Sequence, residues 1–99
     1  MTDHARPPFS LEDLFETLNR RKAEMPSNSF SVSLFRDRQL LLDKILEEAN
    51  ELIRFESKDN LCWEIADLMY FLCVLAVDEG LTWKNIELEL GRRHNKRVQ

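Results

Sequence analysis

With 99 residues, 43% of them hydrophobic and 32% charged, the chain fits one soluble globular domain and leaves little room for a second. A formal net charge of -4 speaks against nucleic acid as the main partner, because binding to a phosphate backbone needs a basic face. Two Gly and three Pro are too few for a turn-rich sandwich or barrel, so the expected fold is all-α, a bundle of four to five helices. A helical domain of this size buries only a modest share of its surface, which favours completion by a homodimer.

Residues 1–8 are polar and proline-containing, lack the apolar stretch of a signal peptide, and read as a disordered lead-in to a single domain over 9–99. Ser10 suits an N-cap with Asp13 three residues on. Leu11, Leu14, Phe15 and Leu18 then follow helical spacing up to a stop before Pro26. Ser29 to Phe35 alternates polar and apolar residues as a strand would, but a lone strand has no partner here. It reads as an extended or short helical connector. From about Asp37 to Phe55 the positions of Leu41, Ile45, Ala49 and Leu52 make an amphipathic helix, with Ser57 to Asn60 as the connection that follows.

Leu61 to Val77 is almost wholly apolar and predicts a helix buried nearly all round, although its longest unbroken run, Leu68 to Val77, is about half a membrane span. Gly80 suits its stop and Thr82 the next N-cap. A last helix should run from about Trp83 into Arg92-Arg93-His94-Asn95-Lys96-Arg97. Those cations suit a helix C-terminus, and one or two of them could instead reach a phosphate. Cys62 and Cys73 lack zinc or redox spacing and read as buried small hydrophobes, in a chain expected in the cytoplasm.

The chemistry lies in the acids. On a helical wheel centred on Glu48, Leu41, Leu52 and Ile45 fall at roughly 20°, 40° and 60°, while Lys44 and Glu51 fall at about -40° and -60°. Glu48 therefore borders the apolar stripe, Glu51 stands further out and Glu47 further still. Glu64 and Asp67 are three apart, hence neighbours on one face of the apolar helix. Burying ionised carboxylates without partners costs several kcal/mol, so something must neutralise them. Salt bridges to Lys44 or Arg54 would do so, and so would a hard divalent cation. Oxygen-only ligands select Mg²⁺, Mn²⁺ or Ca²⁺, and with no His or Cys beside the acids zinc is disfavoured. Such clusters serve phosphate chemistry, for which Lys44, Arg21, Lys22 and Arg36 are candidate phosphate-binding cations. No Gly-rich P-loop is present.

The order Glu47-Glu48-x-x-Glu51, twelve residues, then Glu64-x-x-Asp67 resembles the EExxE and ExxD signature of the all-α NTP pyrophosphohydrolase (MazG-type) superfamily. The segments Leu11 to Lys22, Pro26 to Phe35, Lys44 to Glu51, Glu64 to Leu75 and Leu81 to Arg93 are similar, in order, to those of the phosphoribosyl-ATP pyrophosphohydrolase family. The acidic motif marks the superfamily; the P-x-x-S-F segment, Lys44 and Asp67-x-x-Tyr70 favour the histidine-pathway family within it. The resemblance implies hydrolysis of phosphoribosyl-ATP to phosphoribosyl-AMP and pyrophosphate, with Mg²⁺ (or Mn²⁺) as cofactor, in a helical homodimer. It also implies Glu48, Glu51, Glu64 and Asp67 as metal ligands, Glu47 and Glu48 as catalytic carboxylates, and Lys44, Arg21, Lys22, Ser29 and Tyr70 as substrate-binding residues.

Three positions depart from the family. Phe30 stands where Tyr is common, Phe71 where a His often follows the Tyr, and no glycine follows Leu34-Phe35. Neither Phe30 nor Phe71 is expected to act in catalysis. Two other readings stay open: a house-cleaning pyrophosphohydrolase acting on dCTP-like or dUTP-like triphosphates, and a noncatalytic helical dimerisation module. On composition alone, Tyr70 could be a core aromatic and Ser29 a turn cap.

Overall fold

The computed structural model describes residues 8–97, and side chains as far as residue 96. The expected lead-in, apart from Pro8, lies outside the described residues. Five helices follow in order: α1 (Leu11–Glu24), α2 (Phe30–Arg36), α3 (Arg38–Leu52), α4 (Lys58–Asp78) and α5 (Trp83–Arg97). No strand occurs among the described residues.

The helix ends follow from local hydrogen bonding. Ser10 and Asp13 form a reciprocal capping box at the start of α1, each bond 3.0 Å. At its end Met25 turns left-handed (φ 50) and donates its N–H to Arg21 O at 2.8 Å, directly before Pro26. Asp37 caps α3 by accepting from Leu40 N at 3.1 Å. Gly80, at φ 80, turns the chain out of α4, and Thr82 and Asn85 cap α5 reciprocally.

Of the two readings of Ser29 to Phe35 the short helical one holds, and two other boundaries or environments differ from the sequence expectation. The alternating Ser29 to Phe35 segment is helical, because Val32 and Leu34 are buried while seven residues of helix satisfy a backbone that has no strand beside it. Ser57 to Asn60 is not a connection but the start of α4: Ser57 Oγ accepts from Asn60 N, and Asn60 Oδ1 accepts from Glu56 N. Nor is α4 buried all round. Its second half supplies Phe71, Cys73, Val74, Ala76 and Val77 to the core, whereas Trp63 in the first half is 70% exposed and Cys62, expected inside, is on the surface.

The apolar run that seemed half a membrane span also belongs to a longer element. The 21-residue α4 is long and apolar enough to cross a bilayer by length and composition, since Leu61 to Ala66 adds five further apolar residues interrupted only by Glu64. Its second half is instead the centre of a protein core. Leu18 of α1, Leu34 of α2 and Leu41 of α3 close over Val74, and each such burial contributes roughly 1.5–3 kcal/mol.

The most extensive packing is between α3 and α4, with α1 and α2 covering the other flank of α4. Arg38 meets Asp78, and Glu48 meets Asp67, so α3 and α4 run antiparallel. The C-terminal end of α4 is an ion-paired junction. Lys22 Nζ lies 3.2 Å from Asp78 Oδ1 and donates to the Asp78 carbonyl at 3.0 Å, while Arg38 Nη2 reaches Asp78 at 2.7 Å and Glu79 at 2.6 Å. One acid thereby ties α1, α3 and α4.

Candidate metal centre

At the other end of α4, three carboxylates converge from two helices. Glu48 of α3 and Glu64 and Asp67 of α4 each place an oxygen within 4.8 Å of the others. The antiparallel hairpin makes this possible: α3 descends past Glu48 as α4 rises through Glu64 and Asp67, and the i, i+3 spacing puts the latter two on the face that meets α3.

Electrostatics at the cluster are unfavourable without a ligand. Partial burial raises the Glu48 carboxyl above the ordinary range, and the nearby Asp67, Glu64, Glu47 and Glu51 charges push it the same way. The Glu64 carboxyl is raised too, by desolvation first and then by Glu51 and Asp67. Among the described residues no Lys or Arg forms an ion pair with Glu48, Glu64 or Asp67. A donor set of carboxylate oxygens alone, convergent and without counter-cation, fits a hard divalent ion. Asp67 is exposed and Glu64 half-buried, so what marks them is convergence with Glu48 rather than the deep burial that α4's composition suggested.

The remaining site residues are distributed around this centre. Glu51 lines a cavity of about 380 Å³ together with Arg54, Glu56, Asn60 and Glu64. Arg54 was weighed in the sequence only as a surface salt-bridge partner, yet it sits in this wall; its place at the end of α3, one residue beyond the cap, is the signal that could have found it. Lys44 lies 3.3 Å from Glu47 and thus pairs with the outermost acid. Arg21 and Ser29 are brought together, Nη1 to Oγ 3.1 Å. Tyr70, one turn beyond Asp67, is half-buried and stacks on Phe30 with centroids 6.4 Å apart.

Lys22 is not brought to the carboxylates. Its bond to Asp78 holds it eleven residues along α4 from Asp67, about 16 Å of helix. Arg92 and Arg93 of the basic tail both close on Glu89 of their own helix, whose carboxyl they hold down at about 2. The two aromatic departures from the resembled pattern touch each other: the Phe30 and Phe71 rings meet edge to face at 6.1 Å, packing where a hydroxyl and an imidazole would otherwise stand.

The class that fold and site define is an all-helical bundle whose central helical hairpin presents three convergent carboxylates from two helices. Comparison with known proteins makes the class specific. Residues 11–94 match the model of the family described as phosphoribosyl-ATP pyrophosphohydrolase. The chain is 44% identical over 91 residues to the phosphoribosyl-ATP pyrophosphatase of Leptospira biflexa, covering 88% of this chain and 96% of that protein. It is 42% identical over 91 residues to the histidine biosynthesis bifunctional protein HisIE of Thermotoga maritima, covering 88% of this chain and 46% of that one. The bifunctional protein his7 of Schizosaccharomyces pombe is 42% identical over 83 residues, 84% of this chain and 20% of its own length. This chain belongs to the phosphoribosyl-ATP pyrophosphohydrolase family. It spans between 10% and 46% of the length of the bifunctional and trifunctional relatives it matches.

Proposed function

We propose that this protein hydrolyses phosphoribosyl-ATP to phosphoribosyl-AMP and pyrophosphate in histidine biosynthesis. The observation that carries the reading is the convergence of Glu48, Glu64 and Asp67, each with an oxygen within 4.8 Å of the others and none ion-paired to a Lys or Arg among the described residues, in a chain of this family. Glu48, Glu64 and Asp67 hold Mg²⁺ or Mn²⁺, with Glu51 completing the set from the next turn of α3. When bound, the ion neutralises phosphate charge and lowers the pKa of a water.

The chain's own residues do the rest. Water adds to the α-phosphorus and gives up a proton to solvent, the α–β anhydride bond breaks, and the pyrophosphate leaves with that electron pair. Glu48, and Glu47 outside it, accept hydrogen bonds from the attacking water and orient it in line with the leaving oxygen. Lys44, 3.3 Å away, holds the Glu47 carboxylate in place. Arg54, in the wall shared with Glu51 and Glu64, stabilises charge developing on the pyrophosphate. Arg21 with Ser29, and the Phe30 and Tyr70 ring pair, bind the remainder of the substrate.

The working form is a homodimer in the cytoplasm. Leu46, Ile53 and Trp63, each 66% to 72% exposed on the α3 and α4 hairpin, supply the apolar surface for a second copy. Equilibrium sedimentation should give twice the chain mass. The activity is tested by pyrophosphate release from phosphoribosyl-ATP, dCTP and dUTP with Mg²⁺. Turnover of phosphoribosyl-ATP alone is expected; activity confined to the deoxynucleotides would overturn the substrate, and none at all would leave a helical dimerisation module.

A further inference from the structure

Apart from the carboxylate centre, the molecule has a second polar concavity of opposite character. A cavity of about 280 Å³ is lined by Ser27, Ser29, Val32, Ser33 and Arg36, with hydroxyls and a guanidinium but no carboxylate in its wall. Arg21 reaches the same wall from α1, its Nη1 3.1 Å from Ser29 Oγ and 3.5 Å from Ser31 Oγ. Among the described residues, neither Arg21 nor Arg36 pairs with an acid.

The serines are arranged for this wall rather than for the helix they begin. Ser29 occupies the N-cap of α2, yet its side chain makes no capping bond and turns instead to Arg21 and to Ser31 Oγ, 3.0 Å away. A serine at this position normally stabilises its helix by a capping bond, and here that bond is forgone. Ser31 is 1% exposed, so a buried hydroxyl fixes the position of Ser29 from behind. One guanidinium in the concave wall, a second bonded to the wall's Ser29, and hydroxyls beside them match the oxygen-rich, doubly charged face of a phosphate monoester.

We propose that this cavity is the subsite for a phosphate monoester dianion, the 5-phosphate of the substrate's phosphoribosyl end, with Arg36 as a specificity-determining residue. The assignment rests on the function proposed above. The carboxylate centre takes the anhydride end, and the two poles are joined by rings: Phe30, the neighbour of Ser29, stacks on Tyr70 at 14° between planes, one helical turn from Asp67. A molecule phosphorylated at both ends can lie along that pair, one end on each pole.

The test uses the whole chain, with ribose 5-phosphate and pyrophosphate as probes in EDTA, followed by amide NMR shifts. Ribose 5-phosphate should shift residues 27–36, and Arg36→Gln should weaken it about tenfold or more. In turnover, R36Q should raise KM for phosphoribosyl-ATP by a similar factor while kcat changes less than about threefold. Ser33→Ala, another exposed position in the wall, should weaken the same probe by a smaller factor. Shifts confined to the α3 and α4 acids, equal displacement by pyrophosphate, or an unchanged KM in an active R36Q enzyme would each overturn the subsite. A wild-type protein that binds ribose 5-phosphate at residues 27–36, loses it in R36Q and yet fails to hydrolyse phosphoribosyl-ATP would uphold the subsite and sink the proposed reaction.

Discussion

The two ends of α4 carry acids that the fold treats in opposite ways. At the C-terminal end Asp78, its side chain 16% exposed, meets Lys22 from α1 and Arg38 from α3. Near the other end Glu64 and Asp67 meet Glu48, and what lies around them is Glu51 and Glu47. The residue chemistry is the same and the helix is the same; only the partners differ. α3 begins with a cation and ends with carboxylates, so an antiparallel pairing neutralises one end of α4 and concentrates charge at the other. Desolvation first, and then the concentrated like charge, raises the Glu48 and Glu64 carboxyls and opposes folding, which is the signature of a site arranged for a ligand rather than for stability.

The largest effect should come from breaking the unpaired end. Glu64→Gln keeps the shape and removes the charge, and it should lower pyrophosphate release by at least about 100-fold with helical circular dichroism unchanged. Retained turnover would take Glu64 out of the ligand set. The same end should respond to metal. Mg²⁺ at about 100 times its dissociation constant should stabilise the fold by roughly 2.7 kcal/mol, read as a rise in Tm that E64Q loses.

The sign of the pH dependence follows from the raised Glu48 and Glu64 carboxyls. Their charged forms are disfavoured in the fold, so the penalty is present above the raised values and is relieved as pH falls through them. Metal needs the charged forms. The Mg²⁺-dependent gain in Tm should therefore shrink on acidification from neutral pH, and a gain that grows on acidification would place the ion elsewhere.

How far the sequence disclosed this contrast depends on what each signal measures. Helix periods and caps are local, so Ser10 with Asp13, the stop at Pro26 and the break at Gly80 were legible from spacing alone. Ser57 with Asn60 was equally local but used asparagine where a carboxylate or glutamine is expected, and a true cap passed for a linker. That Glu64 and Asp67 share a face was legible because i, i+3 spacing fixes it. Which face of α4 is solvated was not, since composition says how apolar a helix is but not how many neighbours cover it. The cations were least legible. Lys22 and Arg21 adjoin in sequence, yet 100° of helix sends one to Asp78 and the other to Ser29.

Breaking the paired end should cost stability without touching function. Asp78→Asn leaves Lys22 and Arg38 without their shared carboxylate; because both cations are more than two-fifths exposed and screened, the loss should be about 1–2 kcal/mol. Chemical denaturation would measure it, and the Mg²⁺-dependent gain in Tm should survive intact. A mutant that also lost that gain would mean that the two ends are coupled through α4 and do not act as separate poles.

The mildest probe leaves every contact in place and reads the two halves of α4 through their thiols. Cys62 is on the surface of the first half, while Cys73 is 3% exposed in the second and burial pushes its thiol up to about 11. Alkylation proceeds through the thiolate, so iodoacetamide near pH 8 should add one group, at Cys62, and none at Cys73, as peptide mass spectrometry would locate. Because the raised Cys73 value favours the neutral thiol in the fold, that contribution holds below the ordinary thiol range and fades as pH climbs towards 11, where labelling of Cys73 should begin. Protection of Cys62 at pH 8 at high protein concentration, relieved on dilution, would put a second copy against the first half of α4, beside Trp63 and within a turn of Glu64. Dimer formation would then cover the apolar surface that the single chain leaves open at its unpaired end.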